Sequence, residues 1–235
     1  MNILTSLLVG AIGLGFAIVI CHKLATTTKW QPFGELVTQV NTTRKVVALT
    51  YDDGPHPANT NRLLAILHKF QVKATFFAIG QNIEQYPEII TAIVAQGHEL
   101  GNHSYSHLPM IWRTPSFINS ELDRTDRLLR QLGVNTTIHF RPPFGLKRFI
   151  LSFILARNQS KNILWNLDPK DYLATTSTSI EDYAIAHIQP GAIILLHDGG
   201  GDRSPTIAAT EFLIQNLQAQ GYEFMTVSEL LTLNT

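Results

Sequence analysis

The chain has 235 residues, of which 45% are hydrophobic and 15% charged, and its 18 basic and 18 acidic side chains leave no formal net charge at neutral pH. This composition is typical of one globular domain of roughly 200 residues with an appendage, and the absence of a basic excess argues against a nucleic-acid-binding surface. The single cysteine, Cys21, excludes an internal disulfide and a cysteine-rich zinc site. Any metal ion must therefore be held by histidine and carboxylate side chains.

Residues 3–20 form an uncharged apolar run. At about 1.5 Å rise per residue, a helix of this length nearly crosses a hydrocarbon core of roughly 30 Å. We therefore predict an N-terminal transmembrane helix within a membrane anchor or signal segment of residues 1–24. A cleaved secretory signal is the alternative, and the anchor is favoured because no small-x-small cleavage site follows the run.

The flanks of this run complicate the orientation. Lys23 and Lys29 follow the run and no basic residue precedes it, a distribution that the positive-inside rule assigns to a cytoplasmic C-terminal side. We nevertheless expect the folded domain to be extracytoplasmic, membrane-anchored or, after cleavage, secreted. The motifs of that domain supply the reason.

Residues 25–43 show no clear period and are predicted to be a linker and lead-in, followed by one folded domain over 44–235. In chain order the predicted elements of this domain are strand 46–51, helix 59–70, strand 74–79, helix 81–96, strand 98–102, helix 114–132, strand 139–141, helix 146–158, strand 162–167, helix 179–188, strand 192–196, helix 205–220, strand 222–226 and helix 228–233. This alternation predicts an α/β fold, a distorted (β/α) barrel of about seven parallel strands. An open doubly wound sheet is the alternative.

Residues that carry chemistry follow the predicted strands. They are Asp52, Asp53, His103, His107, Arg141, Asp168, Asp171 and His197. Because the carboxyl ends of parallel strands lie at one edge of the fold, these side chains are expected to converge on one rim. On an extended backbone neighbouring side chains point to opposite sides, so that one aspartate of the pair can bind a metal while the other handles a proton.

The pattern His103-x3-His107 places two imidazoles at positions i and i+4. On a helical turn both imidazoles face one side and can share an ion. With one aspartate they form a set of three ligands that leaves positions open for water and substrate. Zinc is the expected occupant, and cobalt, iron or another divalent ion remain alternatives because geometry rather than ligand type decides among them.

Five motifs together resemble those of the polysaccharide deacetylase family, metal-dependent carbohydrate esterases that remove N-acetyl, and sometimes O-acetyl, groups from glycans. The motifs are TYDDGP at 50–55, HSYSH at 103–107, RPPFG at 141–145, DPKDY at 168–172 and LLHD at 195–198. The resemblance extends from about residue 44 to the C-terminus. One such motif can arise by chance, whereas five in order are highly specific.

The resemblance implies a role for each matching residue. The implied ligands of one divalent metal ion are Asp53, His103 and His107. Asp52 is the implied general base that activates water, and Arg141 keeps it ionised and oriented. His197 is the implied general acid that protonates the departing amine, and Asp171 orients His197 and sustains its positive charge.

The resemblance also implies a substrate pocket. The backbone N–H of Phe144 stabilises the oxyanion together with the metal, Leu195 and Tyr172 line the pocket for the acetyl methyl group, and Pro143 belongs to the same pocket. The family commonly has tryptophan in place of Tyr172 and tyrosine in place of Phe144. These departures keep an aromatic wall but put the shape of the acetyl pocket in question.

The expected function is removal of N-acetyl groups from N-acetylglucosamine units of a cell-wall glycan, peptidoglycan first. Chitin or chitooligosaccharide is the second expected substrate. Two other classes remain as alternatives: a glycan-binding module that has lost catalysis, and a non-haem iron oxygenase. The expected partners are the glycan and, through the N-terminal segment, a membrane, and no oligomeric state is predicted.

Overall fold

A computed structural model describes residues 12, 13, 15, 19, 23, 30–147 and 149–233. The strands in the described part are β1 (Leu36–Val37), β2 (Val46–Asp52), β3 (Thr75–Ala78), β4 (Glu99–Asn102), β5 (Asn162–Ile163), β6 (Ala192–His197) and β7 (Glu223–Phe224). The helices with described bounds are α1 (Asn59–Lys69), α2 (Gly80–Gln85), α3 (Pro87–Ala95), α4 (Pro115–Gln131), α5 (Phe149–Arg157), α6 (Ser177–His187), α7 (Ser204–Ala219) and α8 (Val227–Leu231), with short 3₁₀ helices at Pro143–Gly145 and Asp171–Leu173.

The strands form a closed ring of parallel pairings. β2 lies between β3 and β6 and pairs with β7 near its N-terminal end, and β3 pairs with β4. Beyond β4 the ring continues through bridges of Phe140 to Asn102 and to Asn162 of β5, and it closes where Leu167 bridges Ile194 of β6. Ring closure confirms the predicted distorted α/β barrel and excludes the open doubly wound sheet.

Every residue of β2 is buried, because its side chains alternate between two faces and both faces are covered. Leu49 and Tyr51 belong to the large apolar core between the barrel and its helices, whereas Val46 and Ala48 belong to a second core with Phe77. Successive side chains of a strand point to opposite faces, so a strand covered on both faces must be apolar throughout. The near-continuous apolar sequence of residues 46–51 is the consequence.

The helix predicted over 81–96 is instead two helices. α2 ends at Gln85 and α3 begins at Pro87, and between them Tyr86 has φ −135° and ψ 57°. The proline ring disfavours the helical conformation in the residue that precedes it, so the chain breaks at Tyr86 and restarts with proline in the first turn.

Part of the segment predicted to be a linker, residues 25–43, is packed on the barrel. Leu36 and Val37 pair in parallel with β5. Val40 is buried, and its N–H donates to the carbonyl of Gly191 (3.0 Å). A two-residue strand has no detectable period of its own, so the sequence pattern did not indicate it.

The predicted transmembrane run, residues 3–20, lies mostly outside the described residues. Among the residues that are described, no helix is both long and apolar enough to cross a membrane. The transmembrane helix therefore stays a prediction.

The packing of α7 gives a prediction for stability. Leu213 is fully buried in the large core, whereas its neighbour Phe212 is 40% exposed. We expect Leu213→Ala to lower the free energy of unfolding by about 2–5 kcal/mol, because it removes buried methyl groups and leaves a cavity. Phe212→Ala is the matched control and is expected to cost clearly less. Urea denaturation of both variants checks this, and equal losses would contradict the assignment of the core face.

Candidate active site

The residues predicted from the strand ends converge on one cavity of about 330 Å³. Its lining consists of Asp52, Asp53, His103, His107, Phe144, Trp165, Asp168, Tyr172, Leu195 and His197. Arg141 and Asp171 lie behind this lining, and the side chain of each is hydrogen-bonded to one lining residue. Pro143 is not among the lining residues and lies in the adjacent 3₁₀ helix.

Asp53, His103 and His107 offer three ligand atoms that all lie within 4.8 Å of one another. Asp53 Oδ1 is 3.5 Å from His103 Nε2 and 3.1 Å from His107 Nε2. The expected helical turn is wrong, because the loop that carries the two histidines is not helical, and Ser104 (φ 67°) and His107 (φ 55°) are left-handed. The two imidazoles therefore converge through a loop with two left-handed residues and not through the i, i+4 spacing of a helix.

The chemistry of these three groups fits a divalent cation. Asp53 Oδ1 is buried and accepts no hydrogen bond of good geometry. His103 Nδ1 lies 2.7 Å from the carbonyl oxygen of Arg141, so that Nδ1–H donates there and Nε2 keeps its lone pair for a ligand. Burial alone would raise the pKa of Asp53, but His103 and His107 hold the pKa well below its ordinary value.

The backbone at Asp53 separates the two aspartates. Asp52 is the last residue of β2, whereas Asp53 is left-handed with φ 73°, so the expected alternation along an extended backbone ends at this step. Asn82 donates to the Asp53 carbonyl (2.8 Å). A Cβ on Gly199 would lie 2.0 Å from the same oxygen, so only glycine permits this close approach.

Arg141 is fully buried and ties Asp52 to the barrel. Its Nη1 donates to Asp52 Oδ1 (2.7 Å) and to Thr50 Oγ1 (2.8 Å). Its Nε and Nη2 donate to the carbonyls of Ile163 and Leu164, both at 3.1 Å. Because the guanidinium is held by partners on two strands, it fixes the position of the Asp52 carboxylate.

His197 is paired with the buried carboxylate of Asp171. His197 Nδ1 lies 2.7 Å from Asp171 Oδ1, and the His197 N–H and Thr206 Oγ1 both donate to Asp171 Oδ2 at 2.8 Å. Burial by itself lowers the pKa of His197. The hydrogen bond and charge of Asp171, with the charges of Asp52 and Asp53, outweigh burial and raise the pKa above its ordinary value.

Aromatic side chains form part of the cavity wall. Phe144 is left-handed (φ 60°) and 61% exposed, and its ring lies 4.9 Å from that of His107. No acceptor for the Phe144 N–H is found among the described residues. Tyr172 meets the His197 ring edge-on at 5.3 Å, and Leu195 is buried at the base of the same wall.

Trp165 and Asp168 also line the cavity. Asp168 is one of the residues expected there from the strand ends, whereas Trp165 is not. Asp168 does accept from the Lys170 N–H (2.9 Å) as in a turn, and it also faces the cavity. Trp165 lies near the C-terminal end of the predicted strand 162–167, and this position could have indicated that it faces the cavity.

Glu121 is a site-supporting residue that sequence reasoning missed. It is a buried carboxylate on α4 that accepts from the Tyr105 N–H (3.1 Å), the Ser106 N–H (2.8 Å) and the Ser106 hydroxyl (2.9 Å). It therefore holds the loop that carries His103 and His107. Its role could have been predicted from its position beside Leu122 on the buried face of the predicted helix 114–132. An unpaired glutamate is unfavourable there, so Glu121 must have hydrogen-bond partners.

Asp198 supports the turn that follows β2. Its Oδ2 is 2.5 Å from Thr60 Oγ1, its N–H donates to the Asp52 carbonyl (3.0 Å), and a Cβ on Gly54 would lie 2.3 Å from its carboxylate. Burial raises the pKa of Asp198 to about 7; the charges of Asp53 and Asp52 act in the same direction and the Thr60 hydrogen bond acts against them.

The fold and the site together define a class of protein. A parallel α/β barrel carries, at the carboxyl ends of its strands, a set of groups suited to a divalent ion, flanked by a carboxylate–guanidinium pair and an imidazole–carboxylate pair. This is the arrangement of a metal-dependent hydrolase that transfers protons on two sides of a bound substrate.

Comparison with known proteins agrees with this class. A family model described as polysaccharide deacetylase matches residues 39–157. A peptidoglycan-N-acetylglucosamine deacetylase of Bacillus cereus is 33% identical over 203 residues, covering 86% of this chain and 95% of the relative. A chitooligosaccharide deacetylase of a Bradyrhizobium species is 34% identical over 203 residues, covering 81% and 92%.

A solved structure is similar over the same region. The crystal structure of a peptidoglycan N-acetylglucosamine deacetylase aligns with a TM-score of 0.80 at 28% identity and covers 82% of this chain and 91% of that chain. The chain belongs to the polysaccharide deacetylase family. The resemblance inferred from the five motifs is confirmed, as is the expectation of a hydrolase.

The contacts of Glu121 predict an effect on metal binding. Glu121→Ala leaves two buried N–H groups of the histidine loop without their acceptor, and outer partners of this kind typically contribute 10–100-fold to metal affinity. We expect a loss of that order in a calorimetric Zn²⁺ titration. Glu84→Ala, which removes the exposed acceptor of the Tyr105 hydroxyl, is the control and should bind metal nearly as wild type does. Unchanged affinity in Glu121→Ala would contradict the supporting role.

The Asp171–His197 pair predicts a change in titration. Because Asp171 raises the pKa of His197, Asp171→Asn is expected to lower that pKa. An imidazole that must be protonated to act loses activity as pH rises through its pKa, so the alkaline limb of the pH–rate profile should move to lower pH. NMR titration of the His197 ring and the pH dependence of kcat check both statements. An unshifted limb with a shifted ring pKa would mean that another group sets the limb.

Proposed function

We propose that the chain hydrolyses the N-acetyl amide of N-acetylglucosamine residues in a cell-wall glycan, peptidoglycan first. One observation carries the proposal: the candidate metal ligands lie in the same cavity as a carboxylate held by Arg141 and an imidazole held by Asp171. A binding module has no need of two separately oriented proton-transfer groups. The match with the peptidoglycan deacetylase of Bacillus cereus covers nearly the whole length of that relative.

The implied metal ion would be held by Asp53, His103 and His107, with zinc as the proposed occupant and cobalt, iron or another divalent ion as alternatives. When bound, such an ion polarises the acetyl carbonyl and makes water more acidic. The three side chains provide one carboxylate and two neutral imidazoles, and they leave room in the cavity for the substrate.

Asp52 is proposed to accept the proton of the attacking water. Its contact with the buried Arg141 holds the carboxylate in one orientation, so that the base is positioned before the substrate binds. The water oxygen bonds to the carbonyl carbon. The carbonyl oxygen then becomes negatively charged and accepts a hydrogen bond from the Phe144 N–H. Removing one donor of this kind typically costs about 2.7–4 kcal/mol of barrier.

His197 is proposed to complete the reaction. Asp171 occupies its Nδ1, which leaves Nε2–H to protonate the sugar nitrogen as the carbon–nitrogen bond breaks. The free amine stays on the glycan and acetate leaves. Tyr172 and Leu195 provide the wall against which the acetyl methyl group would pack.

A chitinous substrate is the second candidate, because a chitooligosaccharide deacetylase is as similar to this chain as the peptidoglycan enzyme is. Both glycans present N-acetylglucosamine, and the acetyl pocket does not distinguish them. The non-haem iron oxygenase is disfavoured, since it has no use for the Asp52 base or for a distant His197.

The proposed location is a membrane-anchored chain with an extracytoplasmic catalytic domain. The uncharged run of residues 3–20 supports an anchor, and wall glycan lies outside the membrane. A cleaved signal, which would release the domain as a secreted enzyme, is the alternative.

The substitutions Asp52→Asn and His107→Ala separate the two proposed roles. Asp52→Asn is expected to keep bound metal near the wild-type level while activity falls by 10²-fold or more, because the general base is lost and the ligand set is intact. His107→Ala removes a proposed ligand and should bind little metal. Metal analysis by mass spectrometry and acetate release check the pair. Equal metal loss in both variants would reverse the assignment of Asp52 and Asp53.

The proposed substrate is tested by acetate release. The protein supplied with Zn²⁺ or Co²⁺ is incubated with peptidoglycan and with chitooligosaccharides, and the loss of mass per acetyl group is followed. Release from peptidoglycan with higher kcat/KM supports the first candidate, and preference for the oligosaccharides supports the second. No release from any acetylated glycan at wild-type metal content would favour the binding module.

A further inference from the structure

Helix α5 is apolar on both of its faces. Leu151, Ile154 and Leu155 are buried against the barrel. On the other side Phe149 is 47% exposed, Ile150 42% and Phe153 54%. Residues spaced by three and four positions share one helix face, so Phe153 lies beside both Phe149 and Ile150, and the three form a continuous apolar surface. A surface helix normally has polar residues on this side, and an exposed apolar patch commonly marks a binding surface for protein or membrane.

The chain segment just after the N-terminal run extends this surface. The Phe33 ring, 46% exposed, meets the Phe153 ring edge-on at 5.6 Å. A Cβ on Gly34 would lie 3.0 Å from that of Ala156, so the segment packs directly on α5. Trp30, 51% exposed, begins the same segment. We call this set the apolar face: Trp30, Phe33, Phe149, Ile150 and Phe153.

The apolar face is tethered close to the predicted anchor. The run of residues 3–20 ends ten residues before Trp30, a length of chain that spans at most about 35 Å when fully extended. The described part of the run does not cover the face, because Ile12 and Val19 are 65% and 52% exposed and no atom lies within 4 Å of a Cβ on Gly13 or Gly15.

We propose that the apolar face docks on the lipid bilayer that holds the N-terminal segment. Tryptophan and phenylalanine are typical of apolar surfaces that lie at the boundary between headgroups and acyl chains, and isoleucine adds apolar area to this one. Residues 146–158 contain no acidic side chain, so no carboxylate of this segment opposes an anionic headgroup layer. Tethering raises the effective concentration of the surface, so a shallow contact is sufficient.

Docking has a consequence for the active site. Phe149 lies five residues after Phe144, whose side chain lines the cavity. A docked α5 therefore holds the rim of the cavity at a fixed distance from the bilayer instead of letting it move freely on a linker. The inference rests on the proposed membrane anchor and is independent of the proposed deacetylation.

The test uses the full chain in vesicles of phosphatidylcholine and phosphatidylglycerol. A nitroxide label is placed at Phe153→Cys in a Cys21→Ser background, and the matched control carries it at Phe212→Cys, a 40% exposed phenylalanine on α7. Collisions with oxygen report lipid, and collisions with a nickel chelate report water. We expect the label at residue 153 to collide often with oxygen and rarely with the nickel chelate, and the label at residue 212 to collide often with the nickel chelate.

Each other outcome overturns the proposal in a different way. A label at residue 153 as accessible to the nickel chelate as the control means that the face is in water. Low accessibility to both reagents means that protein covers it, either a second copy or the N-terminal segment. A chain that does not float with the vesicles refutes the anchor and the docking together. A label at Ile150→Cys repeats the test without losing the Phe33–Phe153 contact, and acetate release measured in parallel keeps failure of the proposed activity separate.

Discussion

The buried guanidinium of Arg141 is the constraint on which the site depends. Its side chain donates to Asp52 and Thr50 on β2 and to the carbonyls of Ile163 and Leu164, while its own carbonyl oxygen accepts from the His103 imidazole. One residue thus links the proposed base, a proposed metal ligand and two walls of the barrel. Such a cation is tolerated without solvent only because its donors are satisfied and a carboxylate faces it. Movement at this point would displace the base and the ligand together.

Negative charge is concentrated around this cation. Asp53 and Asp198 lie close enough to Asp52 for their charges to interact, and the pKa of Asp198 is raised to about 7 as a result of burial and this repulsion. Arg141 compensates one carboxylate. Asp53, whose Oδ1 accepts no well-aligned hydrogen bond, faces the imidazoles of His103 and His107 instead. A divalent cation between these groups would supply the missing positive charge, which is the physical reason that the ligand set and the Arg141 pair belong to one site.

The ends of the strands could be predicted because strands buried on both faces must be apolar. The position of the candidate catalytic and metal-binding residues after these strands follows from the parallel topology. The conformation of the loops was not. Asp53, His107 and Phe144 are all left-handed, a state that ordinary side chains rarely adopt and that sequence patterns do not indicate. The carboxylate of Glu121 holds one of these loops. Its role was not predicted, because it lies on the buried face of a helix, where the sequence pattern indicates only apolar residues. The motifs identified the ligands, but their geometry depends on contacts distant in the sequence.

The site has a buried part and an exposed part, and the two differ in how closely they keep the common family residues. The groups that hold charge, Asp52 and Arg141 above all, are buried and fixed by the strands, so they suit any N-acetyl group that reaches the cavity. Phe144 and Tyr172 are 61% and 44% exposed, and they are the positions at which this chain differs from common family residues. An aromatic face that is exposed and differs in its hydroxyl or ring size changes what stacks on it without disturbing the proton-transfer groups. The charged groups are therefore fixed by the barrel, whereas the two positions that differ from the common family residues lie on the exposed rim above it.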